Sequence, residues 1–257
     1  GFPAPTMPDT LDIAENASRF AAAIASLTNN AGNASNIGFA VSGGPDSMAM
    51  LSLAQQHFGS GVKAATVDHR LRAAAADEAR FVHDFCMANG IAHAILNVDT
   101  AITGNVQAAA RAARYALLEQ WADAHGIQWI ATAHHADDQL ETLLMRVARG
   151  AGISGLSGVR ARNQRIIRPL LAFTKAELEA ICANAGITPC RDPSNSNADF
   201  DRVRMRKWLD RTDLPFEPLA AVRSASALAE AGDALEWAAQ RLFDERVTFD
   251  GENRMQI

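Results

Sequence analysis

The chain has 257 residues, 48% of them hydrophobic and 21% charged, with a formal net charge of −5. That length can bury a full core, and the proportions exclude a disordered or fibrous protein. The acidic balance argues against a surface coated for bulk nucleic-acid binding and leaves room for a local basic patch. No apolar run approaches the length of about 18 residues that spans a bilayer, and the start, GFPAPTMPDT, has neither the basic nor the apolar region of a signal peptide. A cytoplasmic protein with no membrane partner is expected. The three cysteines, Cys86, Cys182 and Cys190, form no Cys-x-x-Cys pair and read as small core residues.

In chain order, residues 11–27 carry Ile13, Ala17, Phe20 and Ile24 at the spacing of one helical face. A polar loop follows. Four β-rich runs come next, at 37–42, 62–69, 92–99 and 129–135, separated by alanine-rich helical stretches. That alternation predicts an α/β fold, an open and mostly parallel sheet with helices on both faces. A fifth strand is expected at 165–171, then a helix opened by the capping box Thr174-Lys-Ala-Glu177. From 217 to 245 Leu228, Leu235 and Leu242 recur among alanines, predicting a short C-terminal helical segment. The four tryptophans, Trp121, Trp129, Trp208 and Trp237, sit in apolar patterns and are expected in the core, with Trp208 also a stacking candidate.

The strongest chemical signal is Ser42-Gly43-Gly44-Pro45-Asp46-Ser47, between an apolar strand and the helix MAMLSLAQQ. Two glycines let the backbone approach a ligand, and amides at a helix start favour an anion. The other reading is a plain turn capped by Asp46. No lysine is present to neutralise a terminal phosphate, as a P-loop would have. A carboxylate beside a polyphosphate requires a divalent cation between them, and magnesium takes few carboxylates plus phosphate oxygens. Mg2+ held by Asp46, with ATP as the ligand, is the expectation. The loop resembles that of the PP-loop ATP pyrophosphatases, in which the same motif holds the pyrophosphate end of ATP.

A second polar block, His134-His135-Ala136-Asp137-Asp138-Gln139-Leu140-Glu141-Thr142, runs from a strand end into a helix. Leu140, Leu143, Leu144 and Val147 are expected to be its buried face, with Asp138 and Glu141 projecting together from another. A capped, solvated helix start is the competing reading. Ligands in open α/β sheets bind at strand carboxyl ends where strand order reverses. If the two motif-bearing strands are neighbours there, both motifs face one pocket.

Taken together, SGGPDS, VDHRLR (67–72), NVQAAARAARYALL (105–118), AHHADDQLETLLMRVARG (133–150), RPLL and RDPSN (191–195) resemble the tRNA(Ile) lysidine synthetases over roughly residues 37–211. The family pattern has Gly where Arg70 stands and Asn where Val203 stands. The domain division that follows is 1–30 for an N-terminal tail and helix, 31–212 for the PP-loop domain, and 213–257 for a helical segment. That last segment reads either as the start of a truncated second domain or as the end of an unusually short family member.

The resemblance implies transfer of AMP to the carbon-2 oxygen of a tRNA(Ile) cytidine, then attack by free L-lysine. The lysine amine, with a pKa of about 10.4, must lose a proton to react. Asp138 or Glu141 is positioned to bind the ammonium and take that proton. Arg114 reads equally as a surface arginine and as a planar fork for a carboxylate; the resemblance favours the fork. His134 reads either as a phosphate contact or as hydrogen-bonded structure, and His69 as structure. Arg202, Arg204, Arg206, Lys207 and Arg211 read as a solvated face or as a tRNA phosphate track. A homodimer is compatible with all of this.

Three rivals remain at this stage. A tRNA-thiolating PP-loop enzyme would need paired cysteines. A metal phosphoesterase built on VDH and HHADD leaves SGGPDS unexplained. A non-catalytic ATP- and RNA-binding module would form no AMP.

Overall fold

The structure is a computed structural model and describes residues 10–68, 73–98, 106–190, 201–209, 211, 216–249 and 255–256. The elements in order are α1 (Thr10–Leu27), β1 (Ile37–Ala40), α2 (Pro45–Phe58), β2 (Lys63–Asp68), α3 (Ala73–Ala88), β3 (Ala92–Asn97), α4 (Val106–Ala124), β4 (Trp129–Ala131), α5 (Ala136–Val147) and α6 (Ile153–Leu156). They continue with β5 (Arg162–Asn163), β6 (Ile166–Ile167), α7 (Lys175–Asn184), α8 (Asp201–Leu209), α9 (Pro218–Arg246), β7 (Thr248–Phe249) and β8 (Met255–Gln256). By packing, the chain divides into two compact units. The first comprises residues 1–137 and 161–197, the second 138–160 and 198–257, so the division falls inside α5.

The first unit holds a six-stranded sheet in the order β3-β2-β1-β4-β6-β5. All neighbours are parallel except β5 and β6, which pair antiparallel. Expectation and structure agree on the mostly parallel sheet. The fifth expected strand is cut to the two residues of β6, paired with a hairpin partner, β5, that periodicity did not announce. Two-residue strands carry no readable alternation, and the turn is made by Gln164 at φ 52°.

Strand alternation sorts the core into two layers. Ile37, Phe39 and Val41 face a cluster with Phe20 and Ile24 of α1, Met48 and Leu51 of α2, Val82 of α3 and Leu178 of α7. Ala40, Ala65 and Ile130 face the other side, against Leu118 and Trp121 of α4. Each fully buried large side chain contributes about 1.5–3 kcal/mol. Gly38 admits the α4 tryptophan: a Cβ there would lie 2.5 Å from Trp121 Cζ3. The α7 capping box is present in both directions, with Glu177 N–H donating to Thr174 Oγ1 at 3.3 Å and Thr174 N–H to Glu177 Oε2 at 2.6 Å.

In the second unit α5 is pinned by its own polar side chains. Gln139 donates to Val159 O (3.1 Å) and accepts from Val159 N–H (2.7 Å), while Arg146 donates to Gly155 O and Gly158 O. α6 packs on α9, and Arg160 grips Asp233 with two nitrogens at 3.0 and 2.7 Å. The tryptophan expectation of a core position holds for Trp121 and Trp129 and fails for Trp208, 46% exposed on α8, and for Trp237, 64% exposed on α9. Its apolar neighbours Leu235 and Leu242 are exposed too. No helix among the described residues is long and apolar enough to cross a membrane.

Candidate active site

In the first unit, β1 and β4 are adjacent, and strand order reverses between them, with β2 and β3 continuing on one side and β6 on the other. The condition set by the sequence is therefore met, and the phosphate-loop motif and the His-His-Ala-Asp segment leave neighbouring strands at the switch point. The loop is tied down from several sides. Gly43 takes φ +86°, a left-handed conformation that side chains rarely adopt. Its carbonyl accepts from Cys190 N–H at 2.9 Å. Ser42 N–H donates to Ser47 Oγ (3.1 Å), whose hydroxyl donates to Gly44 O (3.0 Å). Cys182 Sγ donates to Pro45 O at 3.3 Å. With Pro45 at the first turn and Gly44 as N-cap, α2 starts without any side-chain cap. Its leading amides lack partners within the helix and suit an anion.

Asp46 is not a cap. Its Oδ2 lies 3.5 Å from His135 Nε2, and its buried Oδ1 has no hydrogen-bond partner among the described residues. His135 is 4% exposed and stands 3.5 Å from Asp137 Oδ2 on its other ring nitrogen. Asp137 Oδ2 also accepts from Lys175 N–H at 2.8 Å. Burial opposes ionisation of Asp137, but hydrogen bonds from His135 and the Lys175 amide hold it below the usual carboxylate range. Sequence reasoning singled out His134, which is half-buried with Nδ1 3.1 Å from Thr132 Oγ1. The residue that touches Asp46 is the next one, and two adjacent histidines at a strand end offered no periodicity to separate them. His69 and Arg70 lie outside the described residues.

A cationic group occupies the same unit. Arg168, after β6, is buried and hydrogen-bonded to Tyr115. Arg114 is half-buried with its guanidinium 6.0 Å from the Tyr115 ring, and the more exposed Arg111 lies 5.1 Å from it. Burial pushes Arg114 and Arg168 down; Tyr115 offsets this and Arg111 adds like-charge repulsion. Among the described residues no carboxylate acts on Arg114.

In the second unit the expected division of α5 holds only in part, with Leu143 and Leu144 half-buried. Glu141, Gln139 and Thr142 are buried with Leu140, whereas Val147 is 56% exposed. Glu141, at 4% exposure, bonds Arg206 Nε of α8, and Arg206 Nη2 lies 3.6 Å from Asp138 Oδ1. A buried carboxylate needs a paired cation, and α8 supplies it. The sequence put Arg206 on a tRNA track with Arg204 and Lys207; those two are exposed. Arg202 lies in the same helix, and its side chain is not described. Val203, where the lysidine synthetase pattern has Asn, is buried and apolar. Among the described residues no group of three or more metal-ligating side chains gathers.

A sequence profile of the PP-loop domain matches residues 16–212. A tRNA(Ile)-lysidine synthase from Zymomonas mobilis subsp. mobilis is 40% identical over 232 residues, covering 84% of this chain and 68% of that protein. The chain belongs to the tRNA(Ile)-lysidine synthase family of PP-loop proteins. A second lysidine synthase, from Novosphingobium aromaticivorans, is 47% identical over 211 residues, 79% of this chain and 64% of its own length. The chain thus spans about two thirds of the length of these curated relatives. The fold is shared with a U34-tRNA thiolase from Methanococcus maripaludis solved with its [4Fe-4S] cluster, at a TM-score of 0.70 and 17% identity over 86% of this chain and 80% of that one.

Proposed function

We propose that this chain carries out the lysidine synthase reaction in the cytoplasm, joining L-lysine to carbon 2 of the wobble cytidine of tRNA(Ile) at the expense of ATP. The observation that carries the reading is the phosphate loop. Its one charged side chain is a carboxylate whose buried oxygen has no hydrogen-bond partner among the described residues, which suits a metal-bound polyphosphate and not a lysine-held γ-phosphate. Asp46 Oδ1 fits Mg2+, which takes one or two carboxylates and completes its shell with phosphate oxygens and water. When bound, the ion supplies charge neutralisation on the departing pyrophosphate.

Ser42, Gly43, Gly44, Pro45 and Ser47 hold the pyrophosphate end of ATP, with His134 as a further phosphate contact. The cytidine O2 attacks the α-phosphorus and pyrophosphate leaves. The amine of lysine then attacks carbon 2, and AMP departs with the former O2. Arg114, a half-buried cation with no acidic neighbour acting on it among the described residues, takes the lysine carboxylate. Asp138 and Glu141 take the ammonium in place of Arg206, and one of them accepts its proton. Arg202, Arg204, Arg206 and Lys207 serve the tRNA backbone. Thiolation has less support: burial pushes Cys86 up to about 12 and Cys182 up to about 11, and Cys190 also rises, against the thiolate that sulfur chemistry needs. Product analysis with ATP, lysine and tRNA(Ile) tests the loop assignment. AMP and pyrophosphate in equal amounts are expected, and stoichiometric ADP with phosphate overturns it.

A further inference from the structure

The second unit contains a cavity of about 550 Å³ at the C-terminal end of α5 and along α8. Leu144 and Met145 of α5 and Met205 of α8 make its apolar lining, Trp208 forms a wall, and Arg149 and Arg204 stand at it. Trp208 is 46% exposed, and its ring lies 5.8 Å from that of Phe216, tilted by 45°. The cavity belongs to the helix pair that carries Asp138, Glu141 and Arg206, but shares no residue with them.

An open apolar cavity walled by an indole and flanked by guanidinium groups matches one ligand class closely. A nucleotide offers a flat π-face for the indole and methionines and a phosphate for the arginines. The exposed cations Arg204 and Lys207 sit one turn apart on α8, with exposed Arg211 just beyond, in a chain whose net charge is −5. This local reversal of sign is the complementarity an RNA strand requires and a fatty or neutral peptide ligand does not. We propose that the cavity receives one unstacked nucleotide of the RNA substrate, with its base on Trp208 and its phosphate toward Arg204 and Arg149. It is a nucleotide subsite additional to the carboxylate site. The inference rests on the reading that the chain modifies tRNA.

The test measures binding of a labelled tRNA(Ile) transcript to the whole chain by fluorescence anisotropy at two salt concentrations. Trp208→Ala is expected to weaken binding about tenfold with the salt slope unchanged. Trp208→Phe should stay within about threefold of wild type and guard against a folding artefact. Arg204→Gln should lower the salt slope by about one, and Trp237→Ala, on α9, should change nothing. Transcripts with single abasic sites then locate the nucleotide, since at the correct position the abasic loss and the Trp208→Ala loss should not add. Wild-type affinity in folded Trp208→Ala overturns the proposal, as does a change of oligomeric state caused by that variant, which would make the cavity a self-association surface. If wild type binds the transcript through Trp208 yet attaches no lysine, the cavity assignment stands and the lysidine reading falls. If wild type attaches lysine and Trp208→Ala binds normally, the reverse holds.

Discussion

The two carboxylate sites are held by different partners. Asp46 in the first unit meets a buried histidine on one oxygen and leaves the other without a partner among the described residues. Glu141 in the second unit also has one buried oxygen, Oε2, with no hydrogen-bond partner among the described residues, but its other oxygen and Asp138 are engaged by a cation of the chain itself, Arg206. A carboxylate that faces a histidine gains binding energy directly from an added cation, whereas a ligand ammonium at the guanidinium-paired site must first displace that cation. The first site therefore reads as a place where charge must be supplied, and the second as one where charge is exchanged.

The sharpest way to break this contrast is Asp46→Asn. Because α2 has no side-chain cap, the substitution should leave thermal stability nearly unchanged while AMP formation falls by about a thousandfold or more. A folded variant with near wild-type turnover would mean that Asp46 supplies nothing to the chemistry. Glu141→Gln is expected to do less to turnover, about a hundredfold, but more to stability. It removes one partner of Arg206, whose side chain is 38% exposed, so a cost of about 1–2 kcal/mol is expected after discounting for solvent. ATP affinity should persist; a loss confined to ATP binding would reassign Glu141 to the nucleotide. Equal stability losses in the two variants would erase the distinction between a histidine-paired and a guanidinium-paired site.

A smaller effect comes from a histidine remote from both motifs. Burial, and then the neighbouring His83, lower His93 to about 4, with Thr66 Oγ1 2.9 Å from its Nε2 and His83 Nδ1 3.4 Å from its Nδ1. The folded value lies below the ordinary one of about 6.5, so the unfolded chain binds the proton first. Stability from this group is complete above pH 6.5 and is lost as the pH falls towards 4. Asp137, also depressed, loses its contribution only at still lower pH, as the pH falls through its folded value below the carboxylate range. Chemical denaturation between pH 7 and 4.5 should show a falling stability that His93→Gln flattens. An unchanged slope in that variant would assign the acid sensitivity elsewhere.

Much of the first unit was legible because its residues obey simple periods. Phe20 and Ile24 mark the buried face of α1, β1 alternates between two cores, and Thr174 with Glu177 announces α7 by its cap. The switch point was legible only as a condition, that the two motif-bearing strands be neighbours, and the strand order met it. Less was legible where polarity and burial part company. Periodicity assigns leucines and valines to the inside, yet α5 buries Gln139, Glu141 and Thr142 and exposes Val147, with Val159 engaging Gln139 and Arg206 one oxygen of Glu141 from distant sequence. The contact of His135 with Asp46 and the pairing of Arg206, a residue the sequence had set on a tRNA track, with Asp138 and Glu141 were hidden because each joins groups far apart along the chain. The exposed Trp237 and Leu235 on α9 show the converse, an apolar pattern that the described residues do not cover.

The central claim is best tested by incubating the chain with ATP, Mg2+, radiolabelled lysine and a tRNA(Ile) transcript, and following label into acid-precipitable RNA. The account predicts incorporation that requires both ATP and the wobble cytidine, accompanied by one AMP per lysine attached. A folded, ATP-binding protein that hydrolyses ATP yet leaves the RNA unlabelled would contradict it.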